Sequence, residues 1–411
     1  MNILLSAFAC MPNRGSEPGV GWNFACELSK KHNVYLVTRT ENRLSIKEWT
    51  DKHPHSTANI TFFYYDLPSW FGFRDPRSFT IYFFYFFWQV GMFFHAKNWV
   101  KDHNIQLIHH LTYGVFRVPS LLVLLNIPFI FGPVGGGEKF PIKLRYGIKL
   151  RHHLLDILRD INNTLSTVNP LLWLTYWKST LIVCKTQETL NRVPNKFHKK
   201  CIVSTEMGLN YVSNASHVKS NCKKHGVKLL FTGRLVYWKG LHLVFEAFAE
   251  IIKDFPLSEL TIIGNGKDKE WLTDKSKSLG LTANIKWVNS IPQNELFELY
   301  STFDMMVFPS MREAGGNVVI EALAYNLPVI CLDLGGPSQV VNNKCGRIIS
   351  TKGKNKSQVI QELYQELHHL IKDKRTINKL KKNTNNYAKR FLINTTVENI
   401  YSNDILTKAL S

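Results

Sequence analysis

Two glutamates eight residues apart, Glu313 and Glu321, are the side chains of this sequence best suited to act together. They lie in the stretch MREAGGNVVIE, where Gly315 and Gly316 leave the backbone N–H groups open to an anionic group. A phosphate would fit there, and the carboxylates on either side could accept hydrogen bonds from hydroxyl groups. A sugar and a ribose joined by a diphosphate have this layout.

The pair of glutamates alone leaves two other interpretations open. The carboxylates could form a solvated surface pair, or they could be the acid and the nucleophile of a glycosidase. A second phosphate-binding segment would favour the nucleotide interpretation.

The second candidate segment is basic and contains Arg234 and Lys239 in the stretch GRLVYWKG. Arg offers a planar fork and Lys a mobile point charge, and together they can neutralise a diphosphate without a metal. A solvated basic turn is the alternative, because Lys and Arg are common in loops.

Both segments are expected where a strand turns into a helix. Residues 228–232 and 304–308 have the apolar character of strands, and residues 241–255 and 318–325 have helical apolar spacing. A helix start adds partial positive charge at such a turn. The two segments are therefore predicted to present N–H groups and cations to an anionic ligand.

Other glycine-rich turns follow predicted strands. Gly264 and Gly266 close one of them, and Gly15 lies in the loop GSEPGVGW after the strand 3–9, with a helix expected from Gly19 to Leu28. The spacing G-x-G-x-x-G is missing from this loop, which disfavours a nicotinamide cofactor.

Two adjacent histidines, His109 and His110, end the predicted strand 105–111. Neighbouring side chains on a strand point to opposite faces, so the two cannot chelate one ion. We expect one ring to point inward and the other toward a cleft, with a packed or surface histidine as the alternative. The chain has no D-x-D triplet and no H-E-x-x-H motif, so no metal is implied.

Together these segments resemble the retaining, nucleotide-sugar-dependent glycosyltransferases of family 4, the glycosyl transferases group 1. MREAGGNVVIE resembles their E-x7-E motif, and GRLVYWKG, about eighty residues earlier, is similar to the segment with their phosphate-binding Arg and Lys. The resemblance implies an α/β protein of the GT-B fold. Two Rossmann-like parallel-sheet domains would face a cleft, and a C-terminal helix would cross back to the N-terminal domain.

The resemblance also implies roles for individual residues. Glu313 would hold the donor sugar, Glu321 the ribose, and His110 would contact the donor sugar, so we predict His110 and Glu313 as catalytic. The predicted donor-binding residues are Gly15, Arg234, Lys239, Gly264, Gly266, Gly315, Gly316, Asn317, Val318 and Glu321. The expected co-substrate is a UDP- or GDP-linked sugar, with no cofactor and no metal, and the expected acceptor is a glycan or a lipid-linked molecule.

A length of 411 residues predicts two domains. We place an N-terminal acceptor-side domain at 1–207, a nucleotide-sugar-binding domain at 208–388 and the returning helix at 389–411. The polar, basic stretch 210–225 is the expected linker.

The formal net charge of +20 suits nucleic acid, a membrane surface or an anionic substrate. No nucleic-acid motif is present and the basic residues are spread widely, so we predict no nucleic-acid partner. Residues 139–159 contain six Lys or Arg, one acidic residue and interleaved Leu and Ile. This pattern is typical of a helix on a membrane surface, and a solvated helix face is the alternative.

The stretch Phe79–Phe94 holds ten aromatic residues in sixteen positions. It is too short to span a bilayer comfortably. Packing of these aromatic side chains in the core is one explanation. Contact with lipid headgroups or a lipid-linked acceptor is the other, because a buried helix needs only one apolar face.

The first residues, MNILLSAFAC, carry no Lys or Arg ahead of a short apolar run, so we expect no signal peptide and a cytoplasmic protein, peripheral on the inner membrane face. Seven cysteines without a C-x-x-C motif fit reduced thiols. We predict a retaining hexosyltransferase of cell-surface polysaccharide, lipopolysaccharide or capsule biosynthesis. A nucleotide-sugar epimerase or phosphorylase of the same architecture, and a basic membrane- or nucleic-acid-binding protein without catalysis, are the alternatives.

Overall fold

The protein forms two compact units, each built on one parallel β-sheet. The structure, a computed structural model, describes residues 1–68, 81–205, 208–209, 212 and 226–410. The first unit comprises Met1–Gly137, Ile161–Asn210 and Ile393–Ser411, and the second comprises Glu138–Asp160 and Tyr211–Leu392.

The sheet of the first unit has seven strands, in the order β3-β2-β1-β4-β5-β6-β7. Its strands are β1 (Asn2–Ser6), β2 (Asn33–Thr38), β3 (Ile60–Tyr64), β4 (Leu107–His110), β5 (Phe129–Val134), β6 (Leu181–Cys184) and β7 (Cys201–Val203). The helices up to the end of this sheet are α1 (Ser16–Ser29), α2 (Arg43–Lys52), α3 (Ile81–Asp102), α4 (Leu150–Leu165), α5 (Pro170–Lys178) and α6 (Gln187–Leu190). The central strands are continuous apolar runs because helices cover both faces of a parallel sheet.

The two faces of the first sheet pack in separate apolar clusters. Leu4 belongs to one cluster, while its neighbours Ile3 and Leu5 belong to the other. Successive side chains of a strand point to opposite faces, which explains the alternation. The core of the first unit therefore lies in two layers, one on each side of the sheet.

The aromatic helix α3 packs one face into the first of these clusters. Its buried side chains, Phe84, Tyr85, Trp88, Met92 and Ala96, recur at helical spacing. Tyr82, Phe83 and Phe94 lie on the exposed side. Core packing thus explains one face of the stretch, and its first two residues, 79 and 80, lie outside the described part of the chain.

The end of the chain returns to the first unit, as the GT-B expectation implied. Helices α14 (Ile393–Tyr401) and α15 (Asp404–Leu410) bury Val397, Ile400 and Leu406 in the cluster that contains Ile3.

The sheet of the second unit has six strands, in the order β10-β9-β8-β11-β12-β13. Its strands are β8 (Lys228–Thr232), β9 (Glu259–Ile263), β10 (Ile285–Val288), β11 (Met305–Phe308), β12 (Val329–Leu332) and β13 (Gly346–Ile349). Its helices are α7 (Leu241–Asp254), α8 (Lys269–Ser278), α9 (Gln293–Tyr300), α10 (Asn317–Ala324), α11 (Gly335–Val340), α12 (Lys356–Lys372) and α13 (Lys374–Ala388). Both sheets thus share the doubly wound strand order of a Rossmann-like domain.

The division of the chain differs from the sequence expectation mainly in one segment, while the other boundaries differ by three or four residues. Residues Glu138–Asp160 pack with the second unit, although the expected N-terminal domain covered 1–207. The reason is a set of side-chain contacts that this segment makes with the turns after β8 and β9, described below. Of the expected linker 210–225, only Val212 lies within the described residues.

Helix α1 begins at Ser16, three residues before the expected start at Gly19. Pro18 falls in the first turn, where its missing N–H group has no intrahelical acceptor to lose. Among the helices of the described ranges, none is long and apolar enough to cross a membrane.

Candidate functional site

The predicted site residues of the second unit gather at the carboxyl ends of β8 and β11. These two strands are paired neighbours, and the strand order reverses between them. Ligands of open parallel sheets bind at such a switch point. Arg234 and Lys239 follow β8, and Glu313 follows β11, so the fold brings together segments that the sequence separates.

Lys239 and Glu313 are in direct contact. The ammonium group of Lys239 donates a hydrogen bond to Oε2 of Glu313 and lies 4.7 Å from the ring centroid of Phe308, the last residue of β11. The Lys239 side chain is 10% exposed and that of Glu313 is 21% exposed. Charges in such a partly desolvated position act on a bound group more strongly than they would in water.

Arg234 is exposed on the same turn as Lys239. The backbone beneath it is fixed by hydrogen bonds, because the N–H group of Gly233 donates to the Ile263 carbonyl (3.0 Å) and that of Leu235 to the Asn265 carbonyl (2.8 Å). An exposed guanidinium on a fixed turn is available to an anionic ligand.

The glycines after β9 allow the turns after β8 and β9 to approach closely. A Cβ atom on Gly264 would collide with the carbonyl oxygen of Gly233, and one on Gly266 with that of Leu235. Backbone packing therefore explains why glycine occupies both positions. Their contact with a nucleotide remains a prediction.

The glycine-rich loop after β11 leads into the first turn of α10. Gly316 precedes this helix, so the N–H groups of Asn317 and Val318 have no intrahelical acceptor. The helix start also carries partial positive charge. Gly315, Gly316, Asn317 and Val318 thus form the type of backbone site that the sequence predicted for a phosphate.

Glu321 is buried inside α10, not exposed beside the loop. It accepts hydrogen bonds from Nε2 of Gln293 (2.7 Å) and from the hydroxyl of Tyr300 (3.4 Å). Burial raises the pKa of Glu321 to about 7. Its carboxylate therefore changes protonation state near neutral pH, and only the ionised form can accept two hydrogen bonds at each oxygen.

The structure adds three residues that the sequence did not single out. Nη1 of Arg312 lies 2.5 Å from Oδ1 of Asp156, and the hydroxyl of Tyr237 donates to the same oxygen (2.8 Å). Arg312 and Tyr237 adjoin the two predicted motifs. Asp156 is the one acidic residue of the basic stretch 139–159, which was its only signal in the sequence.

In the first unit, Gly15 and His110 occupy the corresponding switch point. Gly15 lies between β1 and α1, and His110 is the last residue of β4. The two strands are paired neighbours, with Ser6 of β1 opposite His110. His110 is 1% exposed, and its ring nitrogens lie 2.9 Å from the Tyr85 hydroxyl and 2.9 Å from the Ser120 hydroxyl. Burial lowers the pKa of His110 to about 3, so the ring is neutral at physiological pH.

His109 is buried as well, although we expected one of the two rings to point toward a cleft. Its Nε2 lies 2.6 Å from the Gly132 carbonyl and its Nδ1 lies 2.8 Å from the Tyr401 hydroxyl. Burial lowers the pKa of His109 to about 4. Both rings thus have each nitrogen in a hydrogen bond, and the contact of His110 with a donor sugar remains a prediction.

In the described portion of the chain, no group of three or more His, Cys, Asp or Glu side chains is arranged to hold a metal ion.

Comparison with known proteins identifies a family that matches most of the second unit, and relatives that match part of the chain. Residues 212–391 match the family described as glycosyl transferases group 1. Glycogen synthase of Mycobacterium tuberculosis is 33% identical over 116 residues, which are 28% of this chain and 28% of that enzyme. The capsular polysaccharide biosynthesis glycosyltransferase CapM of Staphylococcus aureus is 33% identical over 144 residues, 35% of this chain and 36% of CapM.

The similarity of the fold extends over both units. The crystal structure of Anabaena Alr3699/HepE in complex with UDP superposes with a TM-score of 0.62 at 15% identity, covering 98% of each chain. Both parallel sheets and their helices therefore have the GT-B architecture. Residues 212–391 thus match the glycosyl transferases group 1 family, in a chain whose two sheets have the GT-B fold.

Proposed function

We propose that this protein is a retaining, metal-independent glycosyltransferase. It moves a sugar from a UDP- or GDP-linked donor to a glycan or lipid-linked acceptor in cell-surface polysaccharide assembly. The observation that carries the proposal is the contact between Lys239 and Glu313 at the switch point, with Arg234 exposed on the same turn.

The arrangement of charges suits the departure of a diphosphate. As the bond between the anomeric carbon and the diphosphate oxygen breaks, negative charge develops on the leaving group. Arg234, Lys239 and the N–H groups of Asn317 and Val318 are preorganised to stabilise that charge. The acceptor hydroxyl attacks the anomeric carbon on the face that the diphosphate leaves and gives its proton to a diphosphate oxygen.

The two glutamates bind the neutral parts of the donor in this proposal. Glu313, beside the lysine, accepts hydrogen bonds from the hydroxyls of the transferred sugar. Glu321, when ionised, accepts them from the ribose.

The relatives support the choice of substrates. The HepE structure contains UDP, and CapM is named for capsular polysaccharide biosynthesis. The matched segments span only 28–36% of the length of the two curated relatives, so donor and acceptor are proposals for this chain.

A panel of nucleotide sugars and free nucleoside diphosphates tests the donor, with thermal unfolding as the readout and EDTA in the buffer. We expect one nucleotide sugar and its free diphosphate to raise the melting temperature, because a ligand of the folded state stabilises it. If none of the panel changes the melting temperature, the donor site is wrong. Conversion of the donor without an acceptor would identify an epimerase instead.

Two variants test the assigned residues. Arg234→Ala and Glu313→Ala should each lower the turnover rate by about 100- to 1,000-fold, because each loses an interaction that strengthens in the transition state. Glu250→Ala, which removes a surface carboxylate paired with Lys253 in the same unit, is the matched control. Turnover at the wild-type rate in folded Arg234→Ala and Glu313→Ala would refute the assignment.

We also propose that the protein works in the cytoplasm and contacts an anionic membrane surface through α4. A stripe of apolar side chains at helical spacing is exposed on this helix, with Leu150 74% exposed and Leu154, Leu158, Ile161 and Leu165 at least half exposed. Lys149 and Arg151 are exposed beside it. A stripe of this kind with flanking basic residues suits the headgroup region of an anionic bilayer.

Sedimentation with vesicles that contain phosphatidylglycerol tests this contact. Wild-type protein should sediment with these vesicles and not with neutral ones, and Leu154→Gln/Leu158→Gln should lose most of the binding. Equal sedimentation of the wild type and the double variant would rule out α4 as the contact.

A further inference from the structure

We propose that Asp156 is a positioning residue of the donor site. Its buried carboxylate holds Arg312 and Tyr237, and through them it fixes the two turns that carry Glu313 and Lys239. The inference rests on the proposed function for the identity of the ligand, and on geometry alone for the ordering of the turns.

A single carboxylate oxygen receives both contacts. Oδ1 of Asp156 accepts from the Arg312 guanidinium at 2.5 Å and from the Tyr237 hydroxyl at 2.8 Å, and the Asp156 side chain is 1% exposed. Hydrogen bonds to an ionised group are stronger than those between neutral groups, and their geometry is more restricted. Asp156 therefore joins two segments that are far apart in the sequence.

Each segment leads directly into the donor site. Arg312 is the residue before Glu313, and Tyr237 is two residues before Lys239. The Arg312 guanidinium also lies 4.7 Å from a ring centroid of Trp238, between Tyr237 and Lys239. A movement of Arg312 or Tyr237 would thus displace Glu313 and Lys239 relative to each other.

The same face of α4 contacts the turn after β9. His152, one helical turn before Asp156, lies 3.2 Å from Asp268, and its ring stacks on Tyr237 with 4.0 Å between centroids. Asp268 in turn accepts a hydrogen bond from the N–H group of Tyr237 at 2.9 Å. The backbone of the lysine turn is therefore held from α4 and from the turn after β9 together.

Anchoring the segment 138–160 does not require a buried ion pair at this point. Arg151 lies 3.4 Å from Asp268, Lys143 donates to the Gly353 carbonyl at 3.2 Å, and Phe140 packs against Tyr237. Removing two charges from water costs free energy that their attraction only partly offsets, so a buried ion pair is weak support for stability by itself. The Asp156–Arg312 pair lies next in sequence to Glu313 and close to the turn of Lys239, so its role in this proposal is to order these two residues.

Asp156→Asn tests the proposal with almost no change of volume. We expect the amides of residues 312–318 and 237–240 to exchange with deuterium about tenfold faster, because the local opening of these turns becomes easier. The KM for the nucleotide sugar should rise about tenfold while kcat changes less than about threefold, since binding geometry is lost and the reacting groups remain.

Asp160→Asn is the matched control. It removes the same charge one helical turn later, where the carboxylate pairs with Arg145 of the same segment at 2.9 Å. Exchange and KM in this variant should equal those of the wild type. Arg312→Gln breaks the same pair from the other side, so its local exchange should match that of Asp156→Asn. It provides the test on its own if Asp156→Asn folds poorly.

The outcomes separate this proposal from the proposed function. Wild-type exchange and wild-type KM in folded Asp156→Asn would overturn the proposal. A lower melting temperature without faster exchange at 312–318 would overturn it too, since the role would then be only structural. If the wild type binds no nucleotide sugar while Asp156→Asn still exchanges faster at the two turns, the positioning is correct and the proposed function is wrong.

Discussion

Both sheets place their candidate residues at the point where the strand order reverses, but the side chains there differ in exposure and in how many hydrogen bonds they already make. In the second unit, Arg234 is exposed and Lys239 pairs with Glu313 at the edge of solvent. In the first unit, His109 and His110 are buried, and each ring nitrogen is already in a hydrogen bond. The topology therefore provides a position where a ligand could bind, and the side chains at that position determine whether groups are free to bind it.

The difference lies in how much hydrogen-bonding capacity is left for a ligand. A neutral imidazole has one donor and one acceptor, and the neighbours of His110, the hydroxyls of Tyr85 and Ser120, occupy both. A lysine has three donors and a carboxylate accepts at two oxygens, so Lys239 and Glu313 keep capacity beyond their mutual bond. Three predictions test and extend this contrast.

The larger effect is expected from His110→Ala. It should lower the free energy of unfolding by about 2–4 kcal/mol, because it leaves a cavity and two buried hydroxyl groups without their partner. Denaturant unfolding measures this change, and His55→Ala, an exposed histidine of the same unit, is the control. An unchanged unfolding free energy together with a large loss of kcat would break the comparison, since His110 would then act on substrate, as we propose for Glu313.

A smaller effect is expected from the titration of Glu321. The pKa of about 7 means that the carboxyl is protonated below neutral pH, so kcat/KM should rise with pH up to about 7 and then level off. Glu321→Gln should remove this rise and lower the plateau, because the ionised acceptor for the ribose is absent. A rise of the same size in the variant would assign the titration to another group.

Glu321→Gln should also change stability, and the sign follows from burial. The folded-state pKa lies above the ordinary value of 4.5, so the folded protein holds a proton that the unfolded chain has lost between pH 4.5 and about 7. Stability of the wild type therefore falls as pH rises through that window. The variant should be more stable than the wild type above pH 7 and similar to it below pH 4.5, and thermal unfolding at both pH values measures this.

The sequence was sufficient to predict the position in the fold of those candidate residues that follow a local pattern. Apolar runs followed by glycine and helical spacing placed Arg234, Lys239 and Glu313 at the ends of strands. The pairing of β8 with β11, which is a property of the doubly wound topology, then brought them together. The returning helices α14 and α15 also follow from the family resemblance.

The sequence could not reveal the contacts of Asp156. Its partners Tyr237 and Arg312 are 81 and 156 residues away, and no periodic pattern connects them. The stretch 139–159 has the pattern of a helix with one polar and one apolar face, and that pattern does not say which neighbour the polar face meets. For the same reason the all-round aromatic composition of α3 did not indicate which of its faces is buried.

The close approach of backbones near Glu313 limits how this site can be altered. The N–H group of Gly336 donates to the Glu313 carbonyl at 2.8 Å, and a Cβ atom on Gly336 would collide with the carbonyl oxygen of Gly315. The backbone of the loop after β11 therefore packs directly against the start of α11. A loop transferred from a relative would fit only together with the turn that packs against it. Replacement of a single side chain in this loop, such as that of Val318, leaves the backbone contacts with Gly336 in place, whereas exchange of the loop alone does not.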